Sequence, residues 1–293
     1  MTLSFNLIDE PWIPVIPRDG PPREVGVRDA LVHAHEWREV FDNSPLVTVA
    51  LHRLLLAILY RALPPRSQDA WDALWDELWQ AARLPEAPIV AYLEQWRDRF
   101  DLFSETHPFY QTAGLTIESA NDGTSPVSRL AHELASGNNA TLFDHRSDAS
   151  GHAMSAASAA RLLIAAQTFS MGGGNSGKAI LAGKHFNRSN AQHGLLVNGL
   201  CAWIAGNTFR ETLLLNLVPD DFAPDDIPPW EASTATPEHM ILAADSATAR
   251  GRIDLLTWQA RLIRLIGEHH GQETVVHRVY ITQGRPAGDT GVV

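Results

Sequence analysis

The alternation of hydrophobic and polar positions predicts short strands and then helices in the first part of the chain. "SFNLIDEPWIPVIPRDG" combines short apolar runs with three prolines, and proline lacks the amide hydrogen that an interior strand donates. We therefore expect edge strands and turns there, followed by a second strand and a helix in "REVGVRDAL". "PLVTVALHRLLLAILYRALP" predicts a helix of about 18 residues. Because it contains His52, Arg53 and Arg61, it is typical of a buried core helix rather than a membrane span.

Further helical patterns follow this core helix. "SQDAWDALWDELWQAARL" has Ser67 as its candidate N-cap and a tryptophan stripe at helical spacing, which indicates a core-facing surface rather than a base-stacking one. "APIVAYLEQWRDRF" and "SPVSRLAHELA" predict a third and a fourth helix. "ASAARLLIAAQTF" and the apolar stretch from Leu195 to Ala205 predict two buried helices.

The last third of the chain changes character after residue 217. Residues 218–239 form a Pro/Asp-rich linker, and "GRIDLLTW" and "TVVHRVYITQG" alternate like the two strands of an antiparallel hairpin. We therefore expect a mixed α/β (α+β) fold that is mostly helical with small antiparallel sheets. Its expected parts are a body at 1–217, the linker at 218–239, and a strand-rich remainder at 240–293.

Composition narrows the class of protein. The 293 residues are 45% hydrophobic and 19% charged, the N-terminus lacks the pattern of a signal peptide, and the net charge is −11. A cytoplasmic protein without membrane contact is the expectation. The single cysteine, Cys201, cannot form an internal disulfide, and its apolar surroundings predict a buried position.

The charges are unevenly distributed. From Ala149 to Arg210 there is no Asp or Glu, and the stretch carries +5. Buried helices explain part of this absence, but not its polar middle, "GGGNSGKAILAGKHFNRSNAQHG". Glycines, amides and cations without carboxylates suit a surface that faces phosphates, with an ordinary surface loop as the alternative. The five basic residues of the stretch are Arg161, Lys178, Lys184, Arg188 and Arg210.

The glycine-rich sequence "SMGGGNSGKAI" nearly matches a nucleotide phosphate loop. Gly172, four residues, Gly177 and Lys178 fit the motif, but Ala179 stands where a Ser or Thr hydroxyl would bind magnesium. The motif also requires a strand before it, whereas the preceding residues favour a helix. Nucleotide binding therefore remains only an alternative.

Catalytic and metal-binding motifs are not apparent. The sequence contains neither G-x-S-x-G nor H-E-x-x-H. The densest histidine cluster, Glu268, His269 and His270, is better explained as a polar turn between two strands. We expect a non-enzymatic protein without a cofactor or bound metal.

Five sequence motifs occur in an order that is typical of one family. They are "NLIDEPWIPV", "HPFYQT", "SPVSRLAHELASGNNATLF", "MGGGNSG" and "TLLLNLV", which together span residues from about 5 to 282 with the strands that follow. The chain resembles the CasA family, the large subunits of the type I-E CRISPR Cascade complex. A wedge and a C-terminal four-helix bundle of that family would lie beyond residue 293, so we expect this chain to match the N-terminal part.

The resemblance implies a role for the glycines in reading DNA. In that family the loop enters the minor groove beside the protospacer-adjacent motif, where Gly173 takes the contacting place and Gly172 and Gly174 give it room. It also implies contacts from the polar loop around residues 136–154, and the acid-free composition of the segment from Gly172 to Arg188 adds the neighbouring basic and amide residues. The resulting candidate DNA-binding residues, beyond the three glycines, are Asn175, Lys178, Lys184, Arg188, Phe143, His145 and Arg285. The family often has Asn at His145, and Arg285 is the nearby cation where the family has a lysine.

The implied function follows from the same resemblance. The chain would inspect double-stranded target DNA, help seat it for pairing with the crRNA, and recruit the helicase-nuclease effector. Its other partners would be the remaining Cascade subunits. A structural scaffold without DNA contact is the third alternative.

Overall fold

The computed structural model contains helices and small antiparallel sheets in the part of the chain that it describes. The described residues are 3–63, 68–119, 121–132, 153–174, 178–181, 183–186, 190–191, 193–218, 223–232, 249–271 and 273–285. The helices are α1 (Val27–Val32), α2 (Pro45–Ala62), α3 (Gln68–Gln80), α4 (Glu86–Gln95), α5 (Ala156–Phe169), α6 (Phe209–Asn216) and α7 (Arg252–Leu256). The strands are β1 (Ile13–Pro17), β2 (Arg23–Val25), β3 (Trp37–Val40), β4 (Thr116–Glu118), β5 (Ser125–Pro126), β6 (Met154–Ser155), β7 (Gly173–Gly174), β8 (Lys178–Leu181), β9 (Lys184–Phe186), β10 (Asn190–Ala191), β11 (Arg261–His270) and β12 (Glu273–Gln283). The mixed, mostly helical fold class is confirmed.

The N-terminal sheet corrects the prediction of edge strands. β1 is the central strand of the order β2-β1-β3, despite its prolines. The proline at position 14 contributes only its carbonyl, which accepts from the Phe41 N–H at 3.1 Å. Amide hydrogens come from the flanking residues instead, since Trp12 donates to Val25 and Arg18 donates to Glu36. Proline is therefore tolerated in this central strand because its positions do not need to donate.

The helix α2 forms the centre of the core, as its pattern predicts. Ser44 caps its first turn, and its hydroxyl accepts from the Val47 N–H at 3.4 Å. The helix is long and apolar enough to cross a membrane by length and composition, but most of it is buried against the rest of the protein. It packs chiefly against α5, and this pair holds the main hydrophobic cluster together.

The tryptophan stripe of α3 faces the protein interior, as predicted. Trp71 is almost fully buried and stacks on Tyr60 of α2 at a centroid distance of 5.9 Å. Trp75 and Trp79 stack on each other and pack against the core, and the Trp75 indole donates to the Leu214 carbonyl at 2.9 Å. These rings pack against the core and against each other, so we do not assign them a role in stacking on bases.

Two predicted helices are absent where they were expected among the described residues. "SPVSRLAHELA" begins with β5 and a 3-10 turn (Val127–Leu130), and its last residues lie outside the described part. The stretch 195–205 runs without a helix and is largely exposed, with Leu200 95% and Ile204 60% accessible. The Asn216 side chain bonds both backbone groups of Ile204, so this residue is satisfied without helical hydrogen bonds. Cys201 is correspondingly half-buried rather than buried.

The C-terminal hairpin is present, but its first strand is β11 and not the predicted run "GRIDLLTW". β11 pairs with β12 over its whole length, and the turn at Gly271 has a φ of +65°. The run "GRIDLLTW", predicted as a strand, instead contains α7. A buried carboxylate from elsewhere explains this, because Asp226 accepts from the Ile253 and Asp254 N–H groups at 2.9 and 2.7 Å. A cap supplied 27 residues away is invisible to local periodicity.

The hairpin is built into the body by its second strand. β12 pairs on its other edge with β5 and β6, and Ile263 and Val279 belong to the main core cluster. Trp230, from the predicted linker, is also buried in that cluster. The division into a body, linker and remainder stays a prediction.

A buried ion pair closes the end of the described chain. Asp254 is 1% exposed at its side chain and accepts two hydrogen bonds from the Arg285 guanidinium, at 2.6 and 2.9 Å. The same guanidinium lies 3.7 Å from the centroid of the Trp258 ring. Burial alone would raise the pKa of Asp254, but the hydrogen bonds from Arg285 and Arg250 outweigh it and hold the pKa below the ordinary value of 3.8.

We expect Asp254→Asn to destabilise the protein by about 3 kcal/mol at neutral pH, because it leaves a buried guanidinium without its counter-charge. Since the carboxyl pKa is lowered on folding, its contribution is present above the unfolded pKa and is lost as pH falls through the folded pKa. The difference between wild type and variant should therefore shrink in acid. Urea unfolding at a series of pH values measures it.

The matched control is Asp98→Asn, which neutralises an exposed carboxylate. Its stability should stay within about 0.5 kcal/mol of wild type. An Asp254→Asn protein as stable as this control would contradict the structural role of the ion pair.

Candidate nucleic-acid interface

The glycines follow directly from the end of α5, which is fixed by a buried glutamine. Gln167 is 1% exposed, and its side-chain amide donates to the Tyr110 carbonyl at 3.2 Å. The side-chain oxygen of Gln167 accepts from the Arg261 N–H at 2.9 Å. The end of α5 is thereby tied to the start of β11.

Arg261 fixes the residue that comes immediately before the glycines. Its guanidinium donates to the Met171 carbonyl at 2.8 Å and to its own neighbour, Ala260, at 2.7 Å. The side chain is buried, and burial followed by repulsion from Arg129 lowers the pKa of Arg261 to about 10. Backbone carbonyls are the hydrogen-bond partners of this cation among the described residues.

The chain that returns from the glycines passes very close to α5. The Gly194 N–H donates to the Ser170 carbonyl at 2.7 Å. A Cβ added at Gly194 would lie 2.5 Å from the Thr168 carbonyl oxygen, so only glycine permits this approach. Both ends of the 172–194 stretch are therefore anchored on the same helix end.

We call residues Gly172, Gly173 and Gly174 the glycine segment. Gly172 and Gly173 are exposed, and β7 pairs in antiparallel register with β10, with Gly173 opposite Ala191. A Cβ added at Gly173 would meet nothing within 4 Å. The segment thus presents extended backbone to the outside, with open space where a side chain would stand.

This geometry is unlike that of a nucleotide phosphate loop. Such a loop connects a strand to a helix, and the helix N-terminus holds the phosphates. Here the helix α5 precedes the glycines, and Lys178 begins the strand β8. The near-match to the motif therefore lacks the structural context on which phosphate binding depends.

The two lysines of the chain lie on a small sheet beyond the glycine segment. β8 pairs with β4 and β9, and Lys178 and Lys184 are both exposed. Glu118 lies opposite Lys178 in the register and approaches the His185 ring at 3.3 Å. A carboxylate from β4 thus enters a region that is free of acids in the sequence.

Two of the five basic side chains in the acid-free stretch bind other residues of the protein. Arg161 pairs with Glu24 at 2.6 Å and with Asp42 at 3.2 Å. Arg210 is buried and donates to the Leu78 carbonyl at 2.8 Å. The positive charge expected from this stretch is therefore smaller at the surface than the sequence indicates.

The other predicted site residues are placed as follows. Asn175, Arg188, Phe143 and His145 lie outside the described residues, so their expected roles stay predictions. Arg285 is engaged with Asp254 and Trp258, as described above, and we therefore leave it out of the proposed interface.

Sequence reasoning missed the cation that the fold brings to the start of the glycine segment. Arg261 comes from outside the stretch 149–210, and its guanidinium donates to the Met171 carbonyl at 2.8 Å. No local charge pattern joins these two positions, because the hydrogen bond between Gln167 and Arg261 ties α5 to β11.

Catalytic or metal-binding clusters do not emerge in the part of the chain that the structure describes. No group of three or more His, Cys, Asp or Glu side chains there has the arrangement of a metal site. Glu268 pairs with His277 at 2.6 Å, and His269 and His270 are exposed near the hairpin turn, as predicted.

Comparison with known proteins places these features in a family. The family model for CRISPR-associated protein Cse1 matches residues 6–292. CasA/Cse1 of Thermus thermophilus is 40% identical over 271 residues, which cover 92% of this chain and 50% of that protein. The crystal structure of Cse1 from Acidimicrobium ferrooxidans is 34% identical with a TM-score of 0.77, and the match covers 99% of this chain and 53% of that one.

A chain of a CRISPR RNA-guided surveillance complex is 23% identical to this protein, with a TM-score of 0.83. The match covers 98% of this chain and 57% of the other chain, and it shows a similar fold. The chain spans about half the length of the relatives it matches. The match of the family model and the 40% identity over nearly the whole chain show that it belongs to the CRISPR-associated Cse1 (CasA) family.

Proposed function

We propose that this chain acts in a CRISPR surveillance complex as part of its large subunit, and that the glycine segment inspects duplex DNA from the minor groove. The observation that carries the proposal is the exposed, extended backbone at Gly173, where an added Cβ would meet nothing within 4 Å. Family membership supplies the context, since a relative of the same fold belongs to an RNA-guided surveillance complex.

The chemistry of the groove favours such a segment. The minor groove is only about 6 Å wide, and its edges offer a degenerate pattern of acceptors with the guanine amino group as the distinguishing donor. A backbone without side chains approaches these edges more closely than any substituted residue. Extended backbone also carries both N–H and C=O groups, which match acceptors and donors on the base edges. Readout by this means suits a short, permissive motif.

The wider role follows from the same proposal. The subunit would help seat target DNA for pairing with the crRNA, alongside the other subunits, and would present a surface for the helicase-nuclease that cuts the DNA. It would act in the cytoplasm and contribute no catalytic residue, cofactor or metal. Because Arg161 and Arg210 make their polar contacts within the protein, other subunits would supply most of the phosphate contacts.

We expect Gly173→Asp to weaken motif-dependent duplex binding by at least ten-fold, because it adds a side chain and a negative charge at the groove. The site has room for a Cβ, so the variant should fold normally. Fluorescence polarisation of a labelled duplex, measured with the full-length subunit in its complex, tests this, with and without the motif.

The matched control is Gly199→Asp, which makes the same change in the same acid-free stretch. Gly199 is exposed, and the nearest atom to its added Cβ is 3.9 Å away. This control should bind like wild type. Normal motif-dependent binding by a folded Gly173→Asp complex would argue against groove inspection, and binding indifferent to motif in every variant would favour the structural scaffold.

The nucleotide alternative makes a separate prediction. Because β8 rather than a helix follows the glycines, we expect no magnesium-dependent ATP binding by the wild-type protein. Isothermal titration with ATP and magnesium checks this directly. Binding that disappears in Lys178→Ala would restore the phosphate-loop interpretation.

A further inference from the structure

Met171, the residue immediately before the glycine segment, has an exposed apolar side chain. The residue is 65% exposed, although methionine is among the residue types that are most often buried. Met154, at the other end of α5, instead packs against the main hydrophobic cluster. Single exposed apolar residues are common on protein surfaces, so exposure alone assigns no function. The backbone contacts of Met171 set it apart.

Hydrogen bonds fix the main chain at Met171. The preceding residue, Ser170, is buried. Its N–H donates to the Ala166 carbonyl at 3.1 Å, and its carbonyl accepts from the Gly194 N–H at 2.7 Å. The Met171 carbonyl accepts from the buried Arg261 guanidinium at 2.8 Å. The exposed position of the Met171 side chain is therefore set by an anchored backbone.

The distance along the chain places Met171 at the edge of the groove that Gly173 would enter. Two residues span at most about 7 Å, and the minor groove is about 6 Å wide. When Gly173 faces the base edges, Met171 therefore lies beside one wall of the groove. That wall consists of deoxyribose rings, whose C–H groups are apolar. Gly172, between the two residues, has no side chain that would hold them away from the DNA.

We propose that Met171 packs against the deoxyribose wall of the minor groove when the glycine segment enters it. The contact removes an exposed apolar side chain from water, which favours the bound state. The unbranched methionine side chain adapts its rotamers to an irregular surface. The sequence from Ala149 to Arg210 contains no acid that would repel the neighbouring phosphates. This inference rests on the proposed function, because it takes its ligand from the same DNA.

Met171 would position the glycine segment rather than read bases. Every nucleotide of DNA carries a deoxyribose ring, so the contact itself distinguishes no base pair. It forms only when the glycine segment is inside the groove, which requires the motif under the proposed function. Met171 therefore strengthens binding to motif duplexes and leaves binding to other duplexes unchanged. Because the side chain contacts no phosphate, it releases no counterions and does not alter the salt dependence of binding.

The test compares Met171→Ala and Met171→Leu in the full-length subunit within its complex. The labelled duplex carries the motif but no sequence complementary to the crRNA, so that strand pairing adds nothing to the affinity. We expect Met171→Ala to weaken binding to the motif duplex about five-fold, because the apolar contact is lost. Met171→Leu, with a similar volume, should stay within about two-fold of wild type. The affinity for non-motif duplexes and the slope of log Kd against log salt should not change in either variant.

Leu200→Ala is the matched control, since Leu200 is 95% exposed in the same acid-free stretch. It should bind like wild type. A Met171→Ala complex with the motif affinity of this control would overturn the contact. Equal weakening for motif and non-motif duplexes would also overturn it. So would a defect in assembly of the complex without DNA, because Met171 would then contact another subunit.

A fluorescent base distinguishes packing on the groove wall from insertion between base pairs. Some apolar side chains in the minor groove unstack a base step and kink the duplex. 2-Aminopurine placed beside the motif should keep its quenched, stacked fluorescence in the wild-type complex. A rise in fluorescence that Met171→Ala abolishes would show insertion and overturn the wall contact.

The outcome separates this contact from the proposed function. If Gly173→Asp loses motif-dependent binding while Met171→Ala behaves like Leu200→Ala, only the Met171 contact is wrong. If Gly173→Asp keeps normal motif-dependent binding, groove inspection is wrong, and the Met171 contact that depends on it is wrong as well.

Discussion

The geometry of the glycine segment depends on the hydrogen bonds of one buried side chain, Gln167. Its amide joins the end of α5 to the Tyr110 carbonyl and to the first residue of β11. Tyr110 has a φ of +58°, a conformation that costs non-glycine residues roughly 1 kcal/mol or more and needs support from its surroundings. A polar group left unsatisfied in this interior costs about 1–3 kcal/mol, so helix, loop and hairpin are held in one arrangement. This arrangement fixes the position of the glycine segment.

The charge of the surface is set by pairing in three dimensions rather than by distribution along the chain. Arg161 and Arg210 lie within the acid-free stretch, but their side chains bind other residues of the same protein. Arg261, from outside it, donates to the Met171 carbonyl at the start of the glycine segment. The net charge of the chain therefore does not predict the charge of one surface, because exposed charges more than about 8–10 Å away are screened at physiological salt.

Sequence periodicity is sufficient to predict the long helices. It is insufficient to predict segments whose local structure depends on residues far away in the sequence. The core helix α2 and the tryptophan face of α3 follow from spacing alone, since a 3.6-residue period requires one buried face. The helix α7 depends on a cap from Asp226, and the exposed run near Ile204 depends on Asn216. The glycine segment is predicted by its composition and by the family resemblance, whereas the contact of Arg261 with Met171 depends on the hydrogen bond that ties α5 to β11.

The most direct test of groove inspection changes the DNA rather than the protein. Replacing guanine by inosine in the motif removes an amino group from the minor groove, and replacing a purine by its 7-deaza analogue removes an acceptor from the major groove only. Duplex affinity of the wild-type complex would be measured for each substitution. Minor-groove readout predicts that inosine, at guanines the protein contacts, changes affinity while the 7-deaza analogues do not. Sensitivity to the 7-deaza analogues alone would contradict the account.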